Sequence, residues 1–303
     1  DKENVSQKPA AKRDIAFVFQ MFALYPHMNV RKNISYPLKS QGMPKAQINA
    51  KVTRVAEILK IEHILNKPVG GLSGGDRQRV ALGRAIVRKP KAFLMDEPLG
   101  ALDAEFREHM SRELRTLHEQ MGATTVYVTH DQLEAMQMGD KIVVMNNGSV
   151  EQFGVPQEIY DWPSTMFVAD FIGSPSMNFL HFNGTVKEGD TSVLFGNQSF
   201  DIPVQLENTS GNLVFGVRPE HASLNDDSGL RGEVVATEYL GTTQIVSLAT
   251  PSGTLKVRVL ATQIARVGET VGLGFNPRTI TIFDDFTGKA LLSEANKGVL
   301  KNG

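Results

Sequence analysis

The chain has 303 residues, 41% of them hydrophobic, with 32 Lys and Arg against 33 Asp and Glu and a net charge of −1. That length allows two domains with separate cores, and the charge balance excludes a nucleic-acid or anionic-membrane binder held by bulk charge. No cysteine is present, which excludes disulfide scaffolds and cysteine zinc sites and suits a cytoplasmic chain.

Residues 1–14 are polar and turn-like and begin on Asp1; the expectation is a chain without its natural start. The apolar runs at 15–19 and 142–145 are too short to cross a bilayer, and nothing in the pattern suggests secretion. Residues 15–19 predict a buried strand ending at Gln20. Ile48, Val52, Val55 and Leu59 recur at helical spacing and predict an amphipathic helix of about four turns after Pro44. A Gly- and Pro-containing loop then leads into a second helix over 77–87, stopped before Pro90. Residues 92–95 form an apolar strand that ends on two acids. Phe106, Met110, Leu114, Leu117 and Met121 mark a third helix closed by Gly122. Residues 124–128 predict a strand ending at Thr129-His130, and Asp131 with Glu134 offers a capping box for a short helix. A strand over 141–145 turns at Asn147-Gly148 into a hairpin.

Strands alternating with helices predict a mostly parallel sheet with covered faces. After Gly173-Ser174-Pro175 the texture becomes short alternating runs split by Gly, Asn and Asp, the pattern of a small all-β barrel or sandwich. Gly184-Thr-Val and Gly232-Glu-Val are candidates for the openings of two copies of one β unit.

Asp96 and Glu97 stand at the carboxyl end of an apolar strand, where side chains of a parallel sheet project into the ligand crevice. Phosphoryl transfer needs one carboxylate for Mg²⁺ and another to orient the attacking water; Asp96 fits the first role and Glu97 the second. An Asp-Glu-Pro turn closing a strand fits the same residues. Ser73-Gly74-Gly75 precedes a helix whose free amides suit either the Ser73 cap or a phosphate. Arg77, Arg79 and Arg84 are candidate anion partners or structural ion pairs. His130 and Gln20 each follow a strand, positioned to meet a terminal phosphate, a metal or its water.

Taken in order, Gln20, the segment 72–78, Asp96-Glu97, Asp103 and His130 carry a resemblance. The chain closely resembles the ATP-binding subunit of ATP-binding-cassette transporters, within the carbohydrate-importer subclass. Gln20 matches the Q-loop glutamine, and LSGGDRQ matches the signature motif, with Asp76 where Gln or Glu is commoner. The strand ending in Asp96-Glu97 matches Walker B. GALD matches the D-loop with Gly100 in place of Ser, and His130 matches the switch histidine. ALYPHMNV, FIGSPSMNF, VRPEH and DDFTGKAL carry the likeness through nearly the whole chain.

The resemblance implies a P-loop NTPase (RecA-like) α/β domain over 1–172 with a helical subdomain at about 25–90. It further implies a C-terminal OB-like regulatory domain over 173–303. It implies ATP and Mg²⁺ as ligands, with Gln20, Glu97 and His130 catalytic, and Asp96 and Gln20 toward Mg²⁺. Ser73, Gly74, Gly75, Gln78 and Asp103 would meet ATP across a seam between two subunits set head to tail, a homodimer or a pair with a close paralogue. Two membrane permease subunits would be contacted through the segment after Gln20, holding the protein peripherally at the cytoplasmic face of the inner membrane. An extracytoplasmic solute-binding protein would take part indirectly. Nucleic acid is not expected as a partner, because signature and Walker B leave no room for an inserted arm. The family's Gly-x-x-x-x-Gly-Lys-Ser/Thr phosphate loop lies upstream of the Q-loop and does not occur within these residues. The stretch by itself is therefore expected to be inactive; the alternatives are a non-hydrolysing dimerising or regulatory fragment and, less favoured, an ABC ATPase acting on nucleic acid or ribosomes.

Overall fold

The computed structural model describes residues 4–88, 90–195, 198–224 and 230–300, so Asp1, where the expected missing start was placed, lies outside the described residues. The chain forms two compact units, Asp1–Gly139 and Asp140–Gly303. The sequence-based boundary at 172 and 173 falls within the second of these.

In the first unit β1 (Ile15–Val18) leads through a long loop to α1 (Val30–Ser40), α2 (Lys45–Ile58) and α3 (Gly74–Ile86). Then come β2 (Ala92–Asp96), α4 (Ala104–Met121), β3 (Thr124–Val128) and α5 (Gln132–Met138). The three strands pair in parallel in the order β1-β2-β3, with Val18 opposite Met95 and Met95 opposite Tyr127. Helix starts follow the local chemistry: Asn29, Ser73, Asp103 and Asp131 each accept a hydrogen bond from the backbone three residues on. Such caps contribute about 1 kcal/mol each. Gly122 closes α4 in the left-handed conformation, φ 60°, as its glycine predicts. The side chains of Leu117 and Met121 lie outside the described residues.

α1 has no counterpart among the predicted elements, because Pro37 interrupts its pattern. Val30, Ile34 and Leu38 nevertheless share one buried face. The α1, α2 and α3 helices converge at Gly83, where a Cβ would stand 3.0 Å from Leu59 Cδ1 and 3.2 Å from both Ile34 and Val55. One core holds these helices together with Ala16, Val18, Phe93 and Met95. The opposite face of the sheet departs from the expectation of two covered faces. Phe17, Val126 and Val128 are exposed there, and among the described residues the core gathers on the other face.

The second unit begins with the hairpin of β4 (Ile142–Asn146) and β5 (Ser149–Gly154). Asn147 and Gly148 turn it at φ 48° and 83°, the backbone such a two-residue loop needs. Two short helices follow, α6 (Pro156–Asp161) and α7 (Met166–Phe171). The remainder is antiparallel β, as its texture predicts. It comprises β6 (Asn178–Val186), β7 (Ser192–Phe195), β8 (Gln198–Asp201), β9 (Thr209–Val217) and β10 (Ala222–Leu224). There follow β11 (Leu230–Tyr239), β12 (Thr243–Thr250), β13 (Gly253–Leu260), β14 (Thr270–Phe275), β15 (Thr281–Asp284) and the terminal turn α8 (Lys297–Leu300). The sheets run β10-β14-β11-β12-β13 and β15-β9-β6, with β7-β8 a separate hairpin. Their facing sides share a core through Leu180, Phe215, Val246, Val257, Leu273 and Ile282. Gly184 lies near the end of β6 and Gly232 near the start of β11, in different sheets, so the two glycines do not open copies of one unit.

In this unit Arg218 is fully buried where α6 and α7 end. Its guanidinium donates to Tyr160 O at 2.8 and 3.3 Å, to Ala169 O at 3.0 Å and to Ile172 O, and lies 4.2 Å over the Tyr160 ring. A cation among carbonyls at two helix ends meets the negative pole of each dipole.

Candidate functional site at the strand ends

The three parallel strands bring three loops to one edge. Gln20 lies two residues beyond β1, Glu97 directly beyond β2, and His130 two residues beyond β3. Their side chains converge. Gln20 Nε2 donates to Glu97 Oε2 at 3.0 Å, and His130 Nδ1 lies 3.3 Å from Glu97 Oε1. The His130 side chain is 75% exposed and that of Glu97 27%, so the group can be reached from outside.

Glu97 has φ 45°, a left-handed backbone that costs a non-glycine residue roughly 1–2 kcal/mol. The surroundings fix it: Glu97 N donates to Val128 O at 2.9 Å, and Glu97 O accepts from Gly100 N at 3.2 Å and from Gln78 Nε2 at 3.0 Å. A left-handed backbone held this way fixes the direction in which the side chain leaves the strand end.

Asp96 shares the outer sheet face with Leu94, and no hydrogen bond or ion pair to its carboxylate is seen among the described residues. No group of three or more His, Asp or Glu gathers as a metal cage among those residues. Mg²⁺ does not need one, since it keeps several waters and takes one or two carboxylates together with substrate phosphates. An uncommitted carboxylate at the end of β2 fits that donor set.

Ser73 is exposed at the start of α3; its Oγ accepts from Asp76 N at 3.1 Å and donates to Asp76 Oδ2 at 2.9 Å. Asp76 in turn pairs closely with Arg79. Asp103, also exposed, caps α4 by accepting from Phe106 N at 2.9 Å. The structure thus gathers Gln20, Glu97 and His130 and presents Ser73, Gly74 and Asp103 on the surface. Gln78 is different: it is 3% exposed, and both ends of its amide are engaged within the chain. The three arginines considered for anions are also engaged inward, Arg77 on Leu72 O, Arg79 on Asp76 and Arg84 on Phe22 O. Burial lowers the pKa of Arg84, which also stacks 5.1 Å over Tyr25.

Further residues contribute around this group. A cleft beside Glu97 is lined by Gly100, Arg107, Thr129, His130, Asp131 and Glu134. Arg107 joins Leu102 O at 3.1 Å to Asp131 Oδ2 at 3.4 Å, tying the turn before α4 to the loop of His130. Its position one helical turn after Asp103 was the available clue. Tyr127, packed beneath, has its hydroxyl pushed far above the ordinary value by burial and then by Glu134. In the loop after Gln20, Phe22 and Ala23 take positive φ. Asn33, fully buried, fastens that loop by donating to Tyr25 O, Met28 O and Asn29 O and accepting from Tyr25 N at 2.9 Å.

Parallel strands delivering an amide, a carboxylate pair and an imidazole to one edge define a nucleotide-binding α/β unit, in a chain that also carries a β-rich unit. The ABC transporter family model matches residues 1–100, the MalK OB fold domain residues 173–222 and the TOBE domain residues 215–283. The trehalose/maltose import ATP-binding protein MalK of Thermococcus litoralis is 45% identical over 295 residues, covering 93% of this chain and 79% of that one. The sn-glycerol-3-phosphate import ATP-binding protein UgpC of Ruegeria is 45% identical over 290 residues, 94% and 80% respectively. The sulfoquinovosyl glycerol transport ATP-binding protein SmoE of Agrobacterium fabrum is 40% identical over 294 residues, 95% and 81%. The chain belongs to the family of ABC transporter ATP-binding subunits, and nucleotide binding goes with that membership.

Proposed function

We propose that the protein is the ATP-hydrolysing subunit of an importer for carbohydrates or related solutes, among them sugars, polyols and glycerol phosphate. The relatives' transport roles support the solute class, and one observation carries the chemistry: Gln20 and His130 reach opposite oxygens of the Glu97 carboxylate. A carboxylate held there can accept a proton-bearing water and orient it toward a terminal phosphate. The imidazole of His130 contacts that phosphate and registers its loss, and the Gln20 amide follows the water or the metal's shell. Mg²⁺, held by Asp96 with Gln20, would neutralise charge building up on the transferred phosphoryl group.

Two copies set head to tail complete each site in this reading. Ser73, Gly74 and Gly75 of one copy turn a helix start, roughly half a positive charge, toward the nucleotide held by the other, and Asp103 lies at the seam. ATP then joins the copies, and hydrolysis removes the charge that joined them. The ATPase module extends to 172 with its helical part at about 25–90, and the β-rich module over 173–303 regulates. Among the described residues no helix is long and apolar enough to cross a membrane. In this reading, attachment at the cytoplasmic face runs through two permease subunits that meet the loop after Gln20, with a solute-binding protein acting beyond them. Glu97→Gln tests the reading: in the protein assembled with its permeases, hydrolysis falls by about two orders of magnitude or more while an ATP-dependent dimer persists. Hydrolysis at the parent rate refutes it.

A further inference from the structure

Resting on that reading of Glu97, we propose that Gln78 is a positioning residue through which the start of α3 governs the catalytic carboxylate of its own chain. Gln78 makes two hydrogen bonds to one short turn. Its Nε2 donates to Glu97 O at 3.0 Å, and its Oε1 accepts from Ala101 N at 2.8 Å. The amide therefore brackets the segment from Glu97 to Ala101, and at 3% exposure it has no water to substitute for either partner. The bond to Glu97 O falls on the residue whose left-handed backbone must be held from outside.

A second contact runs between the same two elements. A Cβ on Gly75 would lie 3.5 Å from Ala101 O and 3.6 Å from Leu102 Cδ2, so the first turn of α3 packs against the turn that Gln78 grips. Gln78 follows Ser73 by five positions, about 7.5 Å along the helix axis. A helix is stiff over that length. A shift of the Ser73-Gly74-Gly75 tip on meeting a neighbour's nucleotide is therefore delivered to Glu97 O. Through the fixed backbone it reaches the carboxylate shared with Gln20 and His130. Occupancy of one site of the pair thus sets the aim of the acid in the other.

The test compares Gln78→Met, which keeps the volume and loses both bonds, with Gln78→Leu, which loses both bonds with a shorter, branched side chain. Each is assayed in the assembled transporter for kcat, for KM of ATP and for Tm, alone and with Glu97→Gln. The expected result is a fall in kcat of about tenfold or more in both variants, with KM for ATP within about twofold. The ATP-dependent dimer is retained, Ala101 N–H exchanges faster with solvent in Gln78→Met, and neither variant lowers kcat further in the Glu97→Gln background. A parent kcat in either folded variant, or a kcat loss that simply adds to that of Glu97→Gln, overturns the inference and leaves the reading of Glu97 intact. A parent rate in Glu97→Gln alone removes that reading and the role of Gln78 together.

Discussion

Replacing Arg218 by methionine removes the guanidinium and keeps much of its stem. Three carbonyls, Tyr160 O, Ala169 O and Ile172 O, then lose their donor inside the protein. Hydrogen bonds to a charged group contribute ~1.5–3 kcal/mol each, and the contributions of one shared donor do not add in full. Burial holds the Arg218 pKa below its ordinary value, which sets part of this gain against the cost of desolvating the cation. The net loss is about 4 kcal/mol. For a unit of this size each kcal/mol moves the melting temperature by about 2–4 °C, so Arg218→Met lowers the transition of the second unit by about 8–16 °C. Calorimetry on the whole chain, with near-ultraviolet dichroism at its single Trp162 to mark that unit, reads the shift. A drop smaller than about 3 °C would refute the claim that the guanidinium secures the two helix ends.

Tyr160 shares that cluster, and burial followed by its bond to Glu220 pushes its pKa up to about 12. A raised folded value means stability present below the ordinary 10.0 and lost as pH rises from there toward about 12. Tyr160→Phe is expected to flatten alkaline unfolding across that window and to remove one late-ionising group from the absorbance titration of the five tyrosines; an unchanged slope refutes the assignment. Asn33→Leu leaves Tyr25 N and three carbonyls without their side-chain partner. The expected cost is about 2 kcal/mol or more, with faster hydrogen exchange at the Tyr25 amide, and unaltered exchange there counts against the clamp.

What the sequence discloses divides by range. Periodicity finds α2, α4 and the three parallel strands because each is a local apolar pattern bounded by Gly, Pro or a capping residue. It passes over α1, where Pro37 weighs against a helix and only Val30, Ile34 and Leu38 argue for one. At the site, the residue types and their order single out Gln20, Glu97 and His130, but their meeting depends on strand pairing across 77 positions. The inward turn of Gln78 is illegible for the same reason. Its neighbours in sequence are surface residues of a helix start, while its partners lie 19 and 23 positions away. No single-residue propensity foretells a left-handed glutamate; several tertiary bonds impose it. The repeat suggested by Gly184 and Gly232 fails because a short motif says nothing about which sheet a strand enters.

The Glu97 carboxylate is steered from two sides. An amide on one oxygen and an imidazole beside the other leave each oxygen a second lone pair, so a solvent molecule can dock without displacing either neighbour. Under the proposed function, a side chain tethered on both flanks meets its water already aimed, and little reorientation is left for the moment of reaction.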